Sequence, residues 1–597
     1  MPEITETPEL RGKTMVRDLD IPNVRDRNPD PKSGPRLAVR EFRVQGLVEY
    51  PELGITREAI NKMVDNIRQD LMGEGKLLPS GYTIKELGEL SDLLVDIEDQ
   101  TLKRHVTPLE VQRLVWLVRE QRANRGIHLG QIEAIADQIT RFYRERGFIL
   151  AKAYIPKQEV RDGIVNLTLL LGMLGEVNVK GNKLYAASDI SEVFDDMLTK
   201  PITNDKVEEN LYLLNDYPGL IVDGYFEPGY QVGDSKLNIN VKNEKKYSSN
   251  IRIDNHGTDD TGLYRFYADL QGNNTFGLAD SFNVSILRAE APSNTDYWRV
   301  FYQMNLFSPR LKFNAGASRN QFVVDKSSEL NVDLSGTVDV LDTSLIYILK
   351  RGRSTNRNVQ LKYEQMTSNL NIGEIKNANE EKLNSTSLIY NYDTLNEKEK
   401  SLHQGNVKLR SYSFEYGVTP GIGQEEEVSY LTTDYTYLSF VKVPFFDANS
   451  RFIFRVNAQY ADTQLSSLLR FSLGGPTKAR AYQSNLFTAD DAIYLGVDWV
   501  FNSPDFLDFN ITENINLKEF MKPFVFVDYA KGIQNQAFNE DVTAEVANWG
   551  VGLQFTSGDK FRGNLQFAFP SHQEFSHPDA INYEKEDRIV FDFQYSF

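Results

Sequence analysis

The segment FSLGGPTKARAYQ, residues 471–483, sets one arginine, Arg480, among Ala479, Ala481 and Tyr482, in a glycine-bearing loop between two strand-like stretches. A guanidinium is a planar fork of donors that grips a carboxylate through two parallel bonds. The sequence holds a carboxylate that wants such a partner. In FVFVDYAKG, residues 524–532, Asp528 shares one face of an alternating run with Phe524 and Phe526, while Val525, Val527 and Tyr529 fall on the other. A carboxylate flanked by two phenylalanines is poorly solvated, and a nearby cation stabilises its charged form. Asp528 lies about two strands downstream of the Arg480 loop, so a loop folded into a closed sheet brings the two together. A solvated carboxylate and an exposed loop arginine remain the alternative on residue types alone.

Other chemistry is thin. The chain lacks the nucleophile elbow G-x-S-x-G, the zinc motif H-E-x-x-H, a Walker loop and G-x-G-x-x-G, so no catalytic residue and no cofactor is assigned. Six histidines are scattered; His572 and His577 fall in SHQEFSHPDA, which reads as a polar turn, and no metal is assigned. The pairs Asp259-Asp260 and Asp490-Asp491 lack EF-hand spacing and read as solvated turns. A net charge of −18 argues against a nucleic-acid partner. No run of 18 apolar residues is present, which excludes a spanning helix. The absence of cysteine fits an oxidising compartment. MPEITETPEL has neither a basic nor an apolar signal region, so no signal peptide is expected in this chain.

The elements that must position Arg480 and Asp528 fall into three regions. Residues 1–20 hold a candidate helix, Pro8 to Leu19, with Thr7 as N-cap; its apolar face is thin, and a tail is the alternative. Residues 21–36, rich in proline, read as a linker. Residues 37–243 contain two successive β-α-α-β-β units, 37–172 and 173–243, the first interrupted by a helical insertion at about 81–126. SDISEVFDDMLTK in the second unit reads as one helix. Residues 244–597 then change to about sixteen alternating runs. In AIYLGVDWVF the apolar set is Ile493, Leu495, Val497, Trp499 and Phe501; in the terminal RIVFDFQYSF it is Ile589, Phe591, Phe593, Tyr595 and Phe597. Such alternation suits either a sandwich core or a lipid-facing barrel. Roughly 22 residues per strand and loop favours membrane-crossing strands and a closed barrel, which also removes sheet edges. Tyr297, Trp298, Trp499, Tyr529 and Phe597 at strand ends fit interfacial aromatic girdles.

Several stretches in order resemble the TpsB outer-membrane transporters of two-partner secretion, the FhaC/ShlB/CdiB type within the BamA superfamily. GGPTKARAY resembles the family's lumenal loop motif, here Gly474, Gly475, Thr477, Ala481 and Tyr482 around Arg480. FVFVDYAKG resembles its later strand motif. RIDNHGTDDTGLYR is similar to the motif that opens the barrel, here Asp254, Asn255, Gly257, Thr261, Gly262 and Arg265. YRERGFILAKAYIPKQEVRDGIVNLTLLLG and LLNDYPGLIVDGYFEPG look like parts of two POTRA domains, and FDFQYSF resembles a C-terminal assembly signal, here Phe591, Phe593, Tyr595 and Phe597. The chain departs from the pattern at Ala479, Ala481 and Ala530, and the insertion at about 81–126 is not expected from the family.

The resemblance implies a sixteen-stranded transmembrane β-barrel at 244–597, preceded by POTRA domains at 37–172 and 173–243. It implies a plug helix at 1–20 on a linker at 21–36, and a loop salt bridge between Arg480 and Asp528. The implied setting is the Gram-negative outer membrane with the POTRA domains in the periplasm. The implied activity, without catalysis or nucleotide, is secretion of a large adhesin, haemolysin or contact-dependent inhibition toxin. The implied partners are that TpsA-type exoprotein, outer-membrane lipid and lipopolysaccharide, and the barrel assembly machinery for insertion, with the transporter a monomer. A BamA/TamA-like assembly factor is the main alternative, and a passive porin the lesser one.

Overall fold

The computed structural model describes residues 30–597 except 31–33, 35, 38, 73–79, 81, 102–103, 125, 292–294, 325–333, 416–419, 422, 444–448, 485, 513–514, 537–539 and 577–584. The candidate plug helix at 1–20 and most of the linker at 21–36 lie outside the described residues.

The first unit runs β1 (Glu41–Gln45), α1 (Arg57–Met72), α2 (Ile84–Thr101), α3 (Pro108–Asn124), α4 (Leu129–Arg144), β2 (Lys152–Tyr154) and β3 (Ile164–Leu170). β3 pairs parallel with β1 and antiparallel with β2. Ile132, Ile135, Ile139 and Tyr143 of α4 recur at helical spacing, and all are fully buried in one core with Val165 and Leu167 of β3. The Thr56 hydroxyl caps α1 by accepting from the Ala59 N–H at 3.2 Å. α3 starts at Pro108, where the Glu110 carboxylate turns back to accept from the Thr107 N–H at 2.7 Å. The hydrogen bond from Arg104, with that from Thr107, holds the Glu110 carboxyl down at about 2.

The second unit repeats the plan with β4 (Met173–Lys180), α5 (Ala187–Ser191), α6 (Asn204–Asn215), β5 (Leu220–Pro228) and β6 (Asp234–Glu244). β6 pairs parallel with β4 and antiparallel with β5. SDISEVFDDMLTK is not one helix: α5 passes into a 3-10 turn at Glu192–Met197. The chain must leave the helix at once, because Leu198 bridges to Leu174 and the Thr199 N–H donates to Leu174 O at 2.8 Å. Tightening the last turn brings it back to the sheet.

Sixteen antiparallel strands follow and close on themselves. They are β7 (Tyr247–Asp254), β8 (Tyr264–Asn273), β9 (Ser281–Glu290), β10 (Thr295–Leu306), β11 (Ser308–Val323), β12 (Leu334–Lys350), β13 (Thr355–Ile372) and β14 (Ile375–Asn396). The second half is β15 (Ser401–Phe414), β16 (Glu427–Lys442), β17 (Asn449–Tyr460), β18 (Asp491–Phe501), β19 (Met521–Gln534), β20 (Val542–Ser557), β21 (Phe561–Phe575) and β22 (Arg588–Ser596). Val525, Val527, Trp549, Val551 and Ile589 are exposed on the outside, whereas Phe524, Phe526 and Asp528 on the alternate positions are buried inside. Tyr297 departs from the expected girdle. It is buried on the inner face, because the period of two turns only one of the neighbours Tyr297 and Trp298 outward, and that one is Trp298. His572 lies within β21 and not in a turn; His577 is outside the described residues.

The second unit is fastened to the end of the barrel. The Arg351 guanidinium, in the turn between β12 and β13, grips Asp216 with two bonds of 2.7 Å. Arg310 of β11 meets Glu209 of α6 at 2.6 Å, and the Asn273 and Asn274 amides donate to Lys245 O and Leu184 O at 2.8 Å each. Ala279 and Ile348 of the barrel join the core of this unit. The expected outcome of Arg351→Ala is a looser joint. Because the chain has no cysteine, spin labels at Lys206→Cys and Lys398→Cys report it directly, and their distance distribution broadens.

Candidate functional site

The loop from Ala461 to Asp490, between β17 and β18, turns into the barrel. Its hairpin is closed by Gly475 N–H to Tyr482 O at 2.9 Å, Tyr482 N–H to Ala479 O at 3.0 Å, and Leu473 N–H to Phe487 O at 3.1 Å. The two glycines have separate reasons. A Cβ on Gly474 would stand 2.2 Å from Gln483 O, and Gly475 takes φ +124°. Thr477 lies half-buried in the turn at the tip. Ala479, Ala481 and Tyr482 are completely buried. Ala481 is not among the residues of positive φ, so an alanine costs nothing there.

Arg480 enters a ring of barrel side chains. Its Nε and Nη2 donate to Asp528 Oδ2 and Oδ1 at 2.8 and 2.9 Å, and its backbone N–H also approaches Oδ2 at 3.4 Å. Nη2 donates to Asp498 Oδ1 at 2.6 Å, and Nη1 to Gln566 Oε1 at 3.2 Å. The Asp528 carboxylate is completed by the Tyr494 hydroxyl at 2.8 Å and the Asn548 amide at 2.9 Å. Asp498 takes a second cation, Arg455, at 2.8 Å. Two guanidinium groups thus balance two carboxylates inside a site where Arg480 is 3% exposed and Asp528 not at all. The Arg480 guanidinium carbon also sits 3.6 Å above the Phe526 ring.

Space for this ring comes from glycines on neighbouring strands. Gly496 pairs across from Asp528, and a Cβ there would stand 2.0 Å from the Tyr494 hydroxyl. Gly550 pairs with Phe526, and its Cβ would meet that ring at 2.2 Å. Arg480 and Asp528 are the pair expected from sequence; Asp498, Arg455, Tyr494, Asn548 and Gln566 join them only in the folded barrel. The alternation of AIYLGVDWVF sets Asp498 on the inner face with Tyr494 and Gly496, and that was the available signal.

The base of the loop corrects one expectation. Asp490 is not a solvated turn residue: it is fully buried, accepting from the Leu465 N–H at 2.9 Å, the Arg470 guanidinium at 3.1 Å and the Asn535 N–H at 2.8 Å. Asp491 beside it accepts from the Ala461 N–H at 2.7 Å. A loop that folds inward buries its own hinge, and the paired aspartates satisfy the amides left there.

The remaining motif residues surround this site. The Tyr482 hydroxyl donates to His572 O at 2.8 Å, Arg588 donates to Tyr482 O at 2.8 Å, and the Gln483 amide reaches Asp259 at 2.5 Å. Asp254 is fully buried between Arg252 at 2.9 Å and Arg265 at 2.7 Å. Asn255 bonds β22 at both edges of its amide, donating to Ile589 O at 2.7 Å and accepting from the Phe591 N–H at 2.8 Å. Thr258 and Thr261 share a hydroxyl contact of 2.8 Å, Gly262 takes φ +109°, and a Cβ on Gly257 would stand 1.7 Å from Gly262 O. In β22 Phe593 and Tyr595 are exposed outward, as is Phe597 just beyond it, and the rings of Phe591 and Phe593 meet tilted with centroids 5.8 Å apart. The loop cluster and the opening motif are separate sites, joined through Gln483 and Asp259. Among the described residues no group of three acidic, histidine or cysteine side chains could hold a metal ion.

A family model described as haemolysin secretion/activation protein ShlB/FhaC/HecB matches residues 233–555, and a POTRA domain model of the ShlB type matches residues 105–172. The heme/hemopexin transporter protein HuxB of Haemophilus influenzae (strain 86-028NP) is 22% identical over 502 residues, 82% of this chain and 86% of its own. The outer membrane transporter CdiB of Escherichia coli is 28% identical over 182 residues, 30% of each chain. The solved structure of CdiB from Escherichia coli superposes with a TM-score of 0.65 at 16% identity, covering 97% of this chain and 93% of that one. CdiB from Acinetobacter baumannii gives 0.58 at 16% identity over the same shares.

Removing one partner of a buried ion pair leaves the other charge stranded, at a cost of about 3–5 kcal/mol. Arg480→Ala is expected to destabilise the detergent-solubilised barrel by about that much, because it strands Asp528 and half of Asp498. Asp528→Asn, which keeps the shape and removes one charge, is expected to cost less. Urea unfolding followed by heat-modifiable gel mobility measures both, and equal stability of Arg480→Ala and the unmodified chain would contradict the reading.

Proposed function

The chain belongs to the haemolysin secretion/activation protein family ShlB/FhaC/HecB, and we propose a route by which this outer-membrane transporter secretes its partner protein. The family is one of secretion transporters, and the match favours secretion over general barrel assembly. In the proposed route the two α/β units face the periplasm as POTRA domains and receive the unfolded exoprotein. The passenger is an adhesin, a haemolysin or a contact-dependent inhibition toxin. Extended segments add to a sheet edge of these units, where main-chain hydrogen bonds give affinity that does not depend on passenger sequence. The segment at 1–20 closes the pore at rest and leaves before transport.

The passenger then enters the lumen. Asn356, Asn358, Asn391, Asp393, Asn406 and Asp434 line a polar cavity of about 270 Å³ on the wall formed by β13 to β16, toward the end of the barrel that carries the second unit. Their amides and carboxylates can replace water around a sliding backbone without fixing one register. Folding of the passenger outside gives the direction, so no bound nucleotide is needed. The transporter works as a monomer, set in lipid and lipopolysaccharide after insertion by the barrel assembly machinery.

The observation that carries this reading is the Arg480 cluster. A loop spent on a fully buried, charge-balanced contact inside a pore serves to hold the pore's shape. Arg480→Lys keeps the charge but loses the fork, so it is expected to cut secretion severalfold while the barrel still folds. The assay first asks whether an adjacent reading frame encodes a large Ser-, Gly- and Asn-rich protein, then follows that protein in the medium with and without this chain. Normal secretion and unchanged conductance in Arg480→Ala would remove the loop from the mechanism. Loss of many outer-membrane proteins on depletion would favour an assembly factor instead.

A further inference from the structure

The helical insertion has no part in the sheet or in the route above. α2 and α3 form an antiparallel hairpin: the Gln121 amide reaches Glu86 O and Glu89 at 3.1 Å each, and Arg113 meets Asp96 at 3.7 Å. α3 carries Leu109, Val111, Leu114, Val115, Trp116, Leu117 and Val118, which spread around the helix. A helix apolar on most sides is stable when neighbours cover those sides. Here they are open: Val111 is 50% exposed, Val115 44% and Trp116 63%, with Leu94 of α2 at 51%. Val111, Val115 and Val118 recur at i, i+4 and i+7, and the antiparallel pairing sets Leu94 and Leu87 on the same side of the hairpin. The result is an apolar strip shared by both helices. Away from it α2 is acidic, with Glu89, Asp92, Asp96 and Asp99.

The N-terminal segment of the chain joins the first unit just past the C-terminal end of α3. Arg36–Leu37 pair with Ile127–His128, three residues beyond the end of α3 at Asn124, and Arg36 Nε donates to the His128 ring at 3.0 Å. The sequence before that anchor has matching chemistry. Met15, Val16 and Leu19 share one face at helical spacing, and Arg11, Lys13 and Arg17 against Glu9 and Asp18 leave segment 8–19 with a net positive charge that complements the acidic α2. Residues 20–33 span up to ~50 Å when extended, twice the ~25 Å length of α3. A tether of that length holds the segment near the strip at millimolar effective concentration.

We infer that the strip of Leu87, Leu94, Val111, Val115 and Val118 is a docking site for this chain's own segment 8–19. Occupancy of the strip and occupancy of the pore then exclude each other, so the insertion competes with the barrel for the same segment. The competition rests on the proposed pore-closing role of residues 1–20, whereas docking on the strip is read by cross-linking without secretion.

The cysteine-free chain makes the test clean. In the full chain, in isolated outer membranes, Val16→Cys is combined with Val115→Cys or with Leu94→Cys and treated with a short bismaleimide. The expected product is an intramolecular cross-link at the mass of one chain. The control pair, Val16→Cys with Asp92→Cys on the acidic side, is expected to react roughly tenfold less, and adding Val111→Asp to the first pair should lower its yield by a similar factor. Equal yields in strip and control pairs would overturn the inference, as would products at twice the chain mass, which assign the strip to a second copy. A strip that stays unlinked to Val16→Cys while it cross-links to a co-expressed exoprotein would assign it to the passenger and overturn it equally. Heat-modifiable mobility of each variant verifies that the barrel is folded.

Discussion

Everything in the barrel's second half is arranged around one buried arginine that must be paid for in carboxylate. Desolvating a guanidinium is expensive unless opposite charge and hydrogen-bond acceptors meet it in good geometry. Arg480 finds both in Asp528 and Asp498, and Arg455 then restores neutrality by sharing Asp498. The acceptors come from β18, β19 and β21 and the second cation from β17, so a single loop residue fixes the relative register of neighbouring strands. The glycines at 496 and 550 follow from the same constraint, since any larger residue would collide with Tyr494 or Phe526.

The loop transmits that constraint outward. Its base is held by Asp490 and Asp491, its middle by Arg480, and its far side by the hydroxyl of Tyr482 on β21. From there Gln483 reaches Asp259 in the first hairpin of the barrel, and Arg588 at the start of β22 holds Tyr482 O. The loop therefore touches strands from both ends of the barrel sequence. At the other end of the barrel a second arginine, Arg351, plays a comparable part by tying the α/β unit to a strand turn through Asp216. One arginine sets the shape of the lumen, and the other fastens what stands before it.

Much of this was legible because a strand's alternation is a local code. The inner placement of Phe524, Phe526 and Asp528 follows from period two alone, and the two phenylalanines flagged the carboxylate as one in need of a cation. Asp498 obeys the same alternation, which was its one signal, but its nearest inner neighbours are Gly496 and Val500, so no flanking aromatic flagged it as a carboxylate in need of a cation. Asp490 was misread for a different reason. An Asp-Asp pair at a loop end is normally solvated, and only the three-dimensional path of the loop turns that end inward. Tyr297 failed as a girdle residue because composition at a strand end does not fix which of two adjacent aromatics faces out. The helix expected over SDISEVFDDMLTK was shortened by the bridge from Leu198 to Leu174, a contact 24 residues away that local propensity does not report.

The closing seam has a consequence for how the molecule is built. β22 and β7 meet over five residue pairs, from Asn250 with Ser596 to Asp254 with Asp592, lengthened by the Asn255 amide. Those partners stand at opposite ends of the barrel sequence, whereas the Arg480 cluster draws all its members from residues 455–566, a run of consecutive hairpins. Contacts of short sequence separation form first, because little chain entropy is lost in closing them. The order of assembly follows: the lumenal ring can mature within an open sheet, and the cylinder shuts last, when the final strand reaches the first. Until that moment both edges are unpaired and liable to add a foreign strand, so a chain of this design spends its most vulnerable interval with its interior already built.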